Sequence, residues 1–198
     1  MTETRRIVRI FLASPGDLGE ERKLAKKVVD EFNTSWADTF SLHVELMGWE
    51  DTVSRVGRPQ GLINQDLARC ELFVGMIWKR WGTPPNTSGP YTSGFEEEFR
   101  TSVERQRRES KPELKLFFKD VEKSQLADPG IDLQRVIDLK NEVIRKKELL
   151  YETFEDPLHF EDLFRKNLSH YISTLIQMNE NDNRPKQSDH GRDDTNEV

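Results

Sequence analysis

Apolar and polar positions along the chain alternate between the period of a strand and that of a helix. Ile7 to Ala13 is a short, dense apolar run with β-branched and aromatic members, the make-up of a central strand, and Ser14-Pro15-Gly16 ends it. Asp17 stands three residues before Glu20, the spacing of a capping box, and Leu24, Ala25, Val28, Val29 and Phe32 mark one face of a first helix. A polar break over Asn33 to Thr39 closes it. Leu42 to Trp49 then alternates, with Leu42, Val44 and Leu46 set against His43, Glu45 and Met47, which predicts a half-exposed strand at or near a sheet edge. Gly57, Pro59 and Gly61 mark a loop, and Leu62, Ile63, Leu67 and Cys70 a short helix. The run LFVGMIW (Leu72 to Trp78) is apolar on both faces, as a parallel strand covered by helices on each side must be.

A third helix runs from near Ser93 toward Arg108, with Phe95, Phe99 and Val103 toward the sheet, and Leu114 to Phe118 is the next strand. Asp128-Pro129-Gly130 leads into a helix carrying Leu133, Val136, Ile137 and Ile144. Leu149 to Phe154 is the last strand, and Phe160, Leu163, Phe164, Leu168, Tyr171, Ile172, Leu175 and Ile176 give the last helix the clearest period of all. Five strands alternating with five helices predict a doubly wound α/β domain over residues 1–178, its parallel sheet in the flavodoxin-like order 2-1-3-4-5. From Asn179 onward the apolar period stops, and 179–198 is expected to be a disordered tail.

Such sheets bind ligands beyond the carboxyl ends of their strands, where the order reverses between the first and third. The loops at that point are Ser14 to Asp17 and Lys79 to Thr92. The second has about 14 residues where connections of roughly 4 to 6 are usual, and surplus length of this kind is commonly functional.

Composition narrows the function without naming it. The 198 residues carry 34% apolar and 33% charged residues and a formal charge of -6, so general attraction to nucleic acid is not expected. Arg105, Arg107, Arg108 and Lys111 form a dense basic patch, but Glu104 and Glu109 interrupt it. Arg9 interrupts the first apolar run, which reads as a strand and not a signal peptide, and no apolar run approaches the roughly 20 residues that cross a bilayer. One cysteine excludes an intramolecular disulfide framework. A cytoplasmic protein without membrane contact is expected. His43, His159, His170 and His190 fall in no metal-binding spacing, and Cys70 reads as packing.

The candidate chemistry lies in Glu96, Glu97 and Glu98, at the start of the third helix. Glu97 should point away from the Phe95 stripe into solvent, while Glu96 lies nearest that stripe and Glu98 flanks it on the other side. Ser93-Gly94-Phe95-Glu96 is also a capping box, in which Glu96 returns to the Ser93 amide, and that structural role is compatible with a chemical one. Around the same crevice, Asp17 reads as an N-cap, Arg80 as a solvated loop charge or a counter-charge to a phosphate, and Trp78 as sheet core or, like Trp81, a stacking wall. Asp66 and Glu71 flank the third strand's beginning, with Asp66 read as a surface charge.

The stretches FLASPGDLGEER, INQDLARCELFVGMIWKRWG and SGFEEEF resemble the TIR-like domain of unknown function found fused to NACHT or other STAND NTPase modules, which is itself similar to TIR domains and nucleoside deoxyribosyltransferases. The resemblance runs from about Arg5 to Asp120. It is carried by Ser14, Pro15, Asp17, Glu21, Arg22, Trp81, Gly82, Ser93, Glu96 and Glu98. It implies that Glu96 matches the glutamate that cleaves an N-glycosidic bond. Ser93-Gly94 and Glu98 stand where the deoxyribosyltransferases carry Gly-Thr and a small Gly, and Glu71 where they carry aspartate, which turns the expectation toward hydrolysis. The expected function is an effector hydrolysing NAD or a related nucleotide in immunity or antiphage defence, with Glu96 catalytic and Ser14, Asp17, Arg80, Trp81, Ser93 and Glu98 binding substrate. NAD is then a substrate, and no cofactor or metal is expected. The chain holds no GxxxxGK[ST] phosphate loop, so control is expected from self-association or a separate regulatory or sensor protein. The alternative is a nucleotide-sensing or self-assembling signalling module without chemistry.

Overall fold

The computed structural model describes residues 5–48, 60–85 and 89–182. Strand β1 (Arg6–Ala13) leads to α1 (Gly19–Phe40), β2 (Leu42–Gly48), α2 (Gln60–Arg69), β3 (Leu72–Ile77) and α3 (Gly94–Glu109). β4 (Glu113–Lys119), α4 (Lys123–Ala127), α5 (Ile131–Lys146), β5 (Tyr151–Phe154) and α6 (Pro157–Asp182) complete the order. All strand pairs are parallel, in the order β2-β1-β3-β4-β5, with Ile10 beside Leu72 and Gly75 beside Leu116. This is the expected flavodoxin-like arrangement. β3 is buried along its whole length, which explains its unbroken apolar sequence.

Aromatic rings fill both sides of the sheet. Phe11 and Phe73 stack at 6.1 Å, and Phe73 meets Phe99 of α3 at 6.3 Å. Elsewhere Phe117 meets Phe160 of α6 edge-on at 5.5 Å, and Phe160 stacks on Phe164. Close packing explains the glycine in the middle of β3, since a Cβ on Gly75 would lie 2.7 Å from Leu116 Cδ2 and 3.5 Å from Phe95 Cε2. The tight neighbours are Leu116 and Phe73, whose Cε1 would lie 3.1 Å away, while Phe95, in the first turn of α3, stands at ordinary contact distance.

The chain divides after Arg165 into a larger unit and a second one beginning at Lys166. In the second, Leu168, Tyr171 and Ile172 are buried, and the hydroxyls of Ser173 and Thr174 donate to carbonyls one turn back. α6 runs on to Asp182, past the expected start of the tail at Asn179, and the rest of that tail lies outside the described residues. So do Trp49, Gly57 and Pro59 of the expected strand end and loop. Gly61 falls inside α2 instead of in that loop.

The expected break at Asn33 to Thr39 is absent, and α1 continues to Phe40, closing at Ser41 in the left-handed conformation. The polarity there has a different cause. Asn33 Nδ2 donates to Val44 O (2.9 Å) while Val44 N donates to Asn33 Oδ1 (2.8 Å), so one side chain supplies the donor and acceptor of a neighbouring strand to the free edge of β2. The short α4 was not expected. β5 begins two residues later than its apolar run suggests, leaving Leu150 exposed, and Ile144 of α5 is likewise exposed.

Asn33→Ala removes both bonds and is expected to cost about 1–3 kcal/mol, read as a lower denaturant midpoint with an unchanged m-value. An unchanged midpoint would show that water replaces the amide at no cost.

Candidate functional site

The connection from β3 to α3 is built around a buried indole. Trp81 is 4% exposed and meets Phe95 edge-on at 6.4 Å. Its Nε1 donates to Thr92 Oγ1 at 2.7 Å, which draws the far end of the loop back against its beginning. Gly82 follows at a φ of 99°, a conformation side chains rarely adopt, and Gly94 N donates to Thr83 O at 3.0 Å. These bonds hold the two described ends of the loop together.

Ser93, extended and fully buried, is the N-cap of α3, and its Oγ accepts from Glu96 N at 3.1 Å. The reciprocal half of the expected capping box is displaced by one residue. Glu96 Oε2 accepts from Thr92 N and from Thr92 Oγ1, both at 2.8 Å, and not from the Ser93 amide. No described residue hydrogen-bonds Glu96 Oε1. Glu98 is half-buried and lies about 200° around the helix from Glu96.

Asp17 corrects another expectation. The residue before α1 is Leu18, without a side-chain cap, and Asp17 Oδ2 reaches across to accept from Lys79 N (3.1 Å) and Arg80 N (3.0 Å). Two consecutive main-chain amides form a small anion-binding concavity. Asp17 fills it and joins the loops after β1 and β3 where the strand order reverses. Its Oδ1 is buried without a hydrogen-bond partner. The Arg80 side chain is exposed.

Ser14 is held from below. Arg22, 5% exposed, donates through Nη1 to Ser14 Oγ (2.7 Å) and Pro15 O (2.9 Å). The neighbouring Glu21, 2% exposed, accepts from Lys119 Nζ at 2.7 Å. Lys119 and Lys79 place their ammonium groups 4.4 and 4.0 Å from the Trp78 ring centre, and the Trp78 N–H donates to Asp120 O.

The structure therefore brings Asp17 to the backbone of Arg80, and Trp81 and Ser93 to Glu96 through Thr92 and the helix start. Trp81 does not offer a stacking wall, because its faces belong to the core. Trp78 is half-buried between two lysines. Glu97, expected in solvent, is 8% exposed, so α3 has more than the single covered stripe that its periodicity suggests. Sequence reasoning missed Thr92, Lys119 and the buried role of Glu21. A signal existed for Glu21 and Arg22, two charges within a first turn that follows a tight loop.

Other candidates are accounted for by pairing. Glu71 accepts from Arg6 at 2.7 Å, and Arg105, Arg107 and Lys111 of the basic patch each meet a carboxylate. Burial pushes the Cys70 thiol up to about 11 against the opposing influence of Arg105, which suits packing and not nucleophilic chemistry. Among the described residues no group of three His, Cys, Asp or Glu side chains could hold a metal, and no helix is long and apolar enough to cross a membrane. A groove of about 490 Å³ between α1 and β2 is lined by Arg22, Asn33 and Met47 among others, and Glu96 is not part of it.

A doubly wound α/β domain with a carboxylate at the reversal of strand order is thus the class that fold and site define. Residues 9–169 match the family described as a domain of unknown function (DUF4062), and the chain belongs to it. No curated protein matches. Two solved structures of S. aureus homoserine dehydrogenase, crystallised at pH 6.5 and pH 8.5, are similar at 13% and 14% identity with TM-scores of 0.37 and 0.31. They align over 76% and 77% of this chain, which spans about a third of their length (33% and 32%).

One turn beyond Glu96, Arg100 is committed elsewhere. It grips Glu142 of α5 with two bonds of 2.7 and 2.6 Å, and Lys146 adds a third at 2.7 Å. The Arg100 bonds, helped by Lys146 and opposed by burial, hold the Glu142 carboxyl at about 2 against an ordinary 4.5. A depressed carboxyl stabilises the fold above its unfolded value and loses that contribution as the pH falls through the folded one. Allowing for solvent screening, Glu142→Gln is expected to cost about 1–2 kcal/mol at neutral pH. Thermal melts of both proteins should converge as the pH drops from 4.5 toward 2; a pH-independent gap would assign the cost to packing.

Proposed function

We propose that this chain is a TIR-like effector that hydrolyses the N-glycosidic bond of NAD or a related nucleotide, in immunity or antiphage defence, with Glu96 as the catalytic carboxylate. The observation that carries the reading is the state of Glu96. One oxygen is tied to Thr92, the other has no described partner, and the group lies in the first turn of the helix that follows β3, the end of the sheet at which this topology takes ligands.

In the reaction the bond between C1′ of the ribose and the nicotinamide nitrogen breaks, and its electron pair leaves with the neutral nicotinamide. Positive charge builds on the sugar, and Glu96 lowers its energy through a nearby fixed negative charge. Water then adds to C1′ and loses a proton to solvent. The leaving group departs without protonation, so the chemistry needs no acidic partner beside Glu96. Arg80 supplies charge for the phosphates and Ser14 a polar group of the binding surface, while Glu98, about 200° around α3 from Glu96, lies on the other side of the helix.

A second reading follows from Asp17. Its carboxylate already occupies the amides of Lys79 and Arg80, and an anionic ligand competing for them would release the loop, a sensing step without chemistry. Self-association or a separate regulatory protein would then carry the signal.

The test is nicotinamide release from NAD by concentrated purified protein. Glu96→Gln is expected to lower the rate about 100-fold or more, and an unchanged rate removes Glu96 from the mechanism. Thermal shifts with NAD, ADP-ribose or cyclic nucleotides in the absence of any nicotinamide release would establish the sensing reading instead.

A further inference from the structure

We propose that Thr92, aimed by the buried Trp81 indole, is the positioning residue of Glu96, holding Oε2 so that Oε1 is the oxygen presented to the sugar. The inference rests on the reading of Glu96 as the group beside the ribose.

Donor counting fixes the direction of the chain of bonds. An indole N–H only donates, so Thr92 Oγ1 accepts from Trp81 Nε1, and its single proton is left for Glu96 Oε2. The Thr92 amide donates to the same oxygen. Oε2 thus receives two neutral donors from one residue, and the carboxylate is held in both torsion and tilt. A surface threonine alone would hold it weakly, because its hydroxyl rotates and exchanges partners with water. Here the hydroxyl is anchored to an indole that is 4% exposed, seated edge-on against Phe95. Phe95 belongs to the first turn of α3, beside Glu96, so the anchor packs on the turn that carries the carboxylate.

The neighbouring charge is arranged to match. Arg100 stands four residues after Glu96, the spacing at which a glutamate and an arginine pair along a helix. Its guanidinium is instead fully engaged by Glu142. Glu96 is consequently oriented by neutral donors, with Arg100 contributing only an attraction through space.

The test uses the full chain with Thr92→Val, Thr92→Ser and Trp81→Phe. Hydrogen exchange of the residue-92 amide, followed by ¹H–¹⁵N NMR, reads whether Glu96 stays in place and requires no activity. Thr92→Val is expected to speed that exchange about 10-fold and Thr92→Ser to leave it near the parent value, as loss or retention of one hydrogen bond to a charged group requires. In nicotinamide release, Thr92→Val is expected to lower kcat about 10-fold or more with KM within about threefold, Thr92→Ser to restore it, and Trp81→Phe to lower kcat by less. Unchanged exchange in Thr92→Val, or a kcat per folded molecule within about twofold of the parent, overturns the assignment. If the parent releases no nicotinamide while exchange responds as expected, the positioning stands and the hydrolytic reading of Glu96 fails.

Discussion

Burying an indole while keeping its N–H satisfied constrains the whole region between β3 and α3. Trp81 closes the core at the carboxyl end of the sheet, and a buried N–H without an acceptor would cost about 1–3 kcal/mol. Thr92 is that acceptor, eleven residues further along, so the loop must fold back on itself whatever lies at its tip. The turn at Gly82, the bond from Gly94 N to Thr83 O and the Ser93 cap all serve this return. The position of Glu96 is a consequence of core packing as much as of helix capping.

A second set of contacts secures the opposite lip. The loop after β1 is short, and its polar groups are taken by α1 itself: Arg22 turns back to Ser14 and Pro15, Glu21 reaches Lys119 at the end of β4, and Asp17 spans to the amides after β3. Charged side chains buried to this degree need partners of good geometry, since an isolated charge away from water is strongly unfavourable. The network links the carboxyl ends of β1, β3 and β4 through side chains, where the sheet's own hydrogen bonds have ended. Its cost is one buried oxygen, Asp17 Oδ1, left without a partner. Structures retain such a group where something else depends on it, and here Oδ2 holds the loop.

The fold was legible in the sequence because its signals are periodic and local. The both-faced apolar run of β3, the alternation of β2 and the long stripe of α6 each follow from how many sides of an element meet the core. The site was legible in part. Its location follows from topology, and Ser93 as a cap follows from residue type and spacing. The rest depends on long-range encounters that no period encodes. Asn33 looks like a helix breaker until β2 lies beside it; Asp17 looks like a cap until the backbone of Lys79 and Arg80 arrives; Glu97 looks solvated because a hydrophobic stripe describes one buried face and α3 has more. Thr92 carried no signal, being a small polar residue in a polar loop whose importance comes from what Trp81 lacks.

The division of charge around α3 gives the site its character. Glu96 and Arg100 share a helix face, and left to themselves would form the ordinary pair of an exposed helix, worth a few tenths of a kcal/mol. Glu142 competes with better geometry, offering both oxygens to the guanidinium from a neighbouring helix, and Lys146 stands behind it to balance the surplus negative charge. A two-bond guanidinium–carboxylate contact is stronger and more directional than a single flexible pair. Arg100 therefore ties α3 to α5 while Glu96 is left to the neutral donors of Thr92. Packing between two helices thereby takes the hydrogen bonds of Arg100 away from Glu96 and leaves only an attraction through space between them.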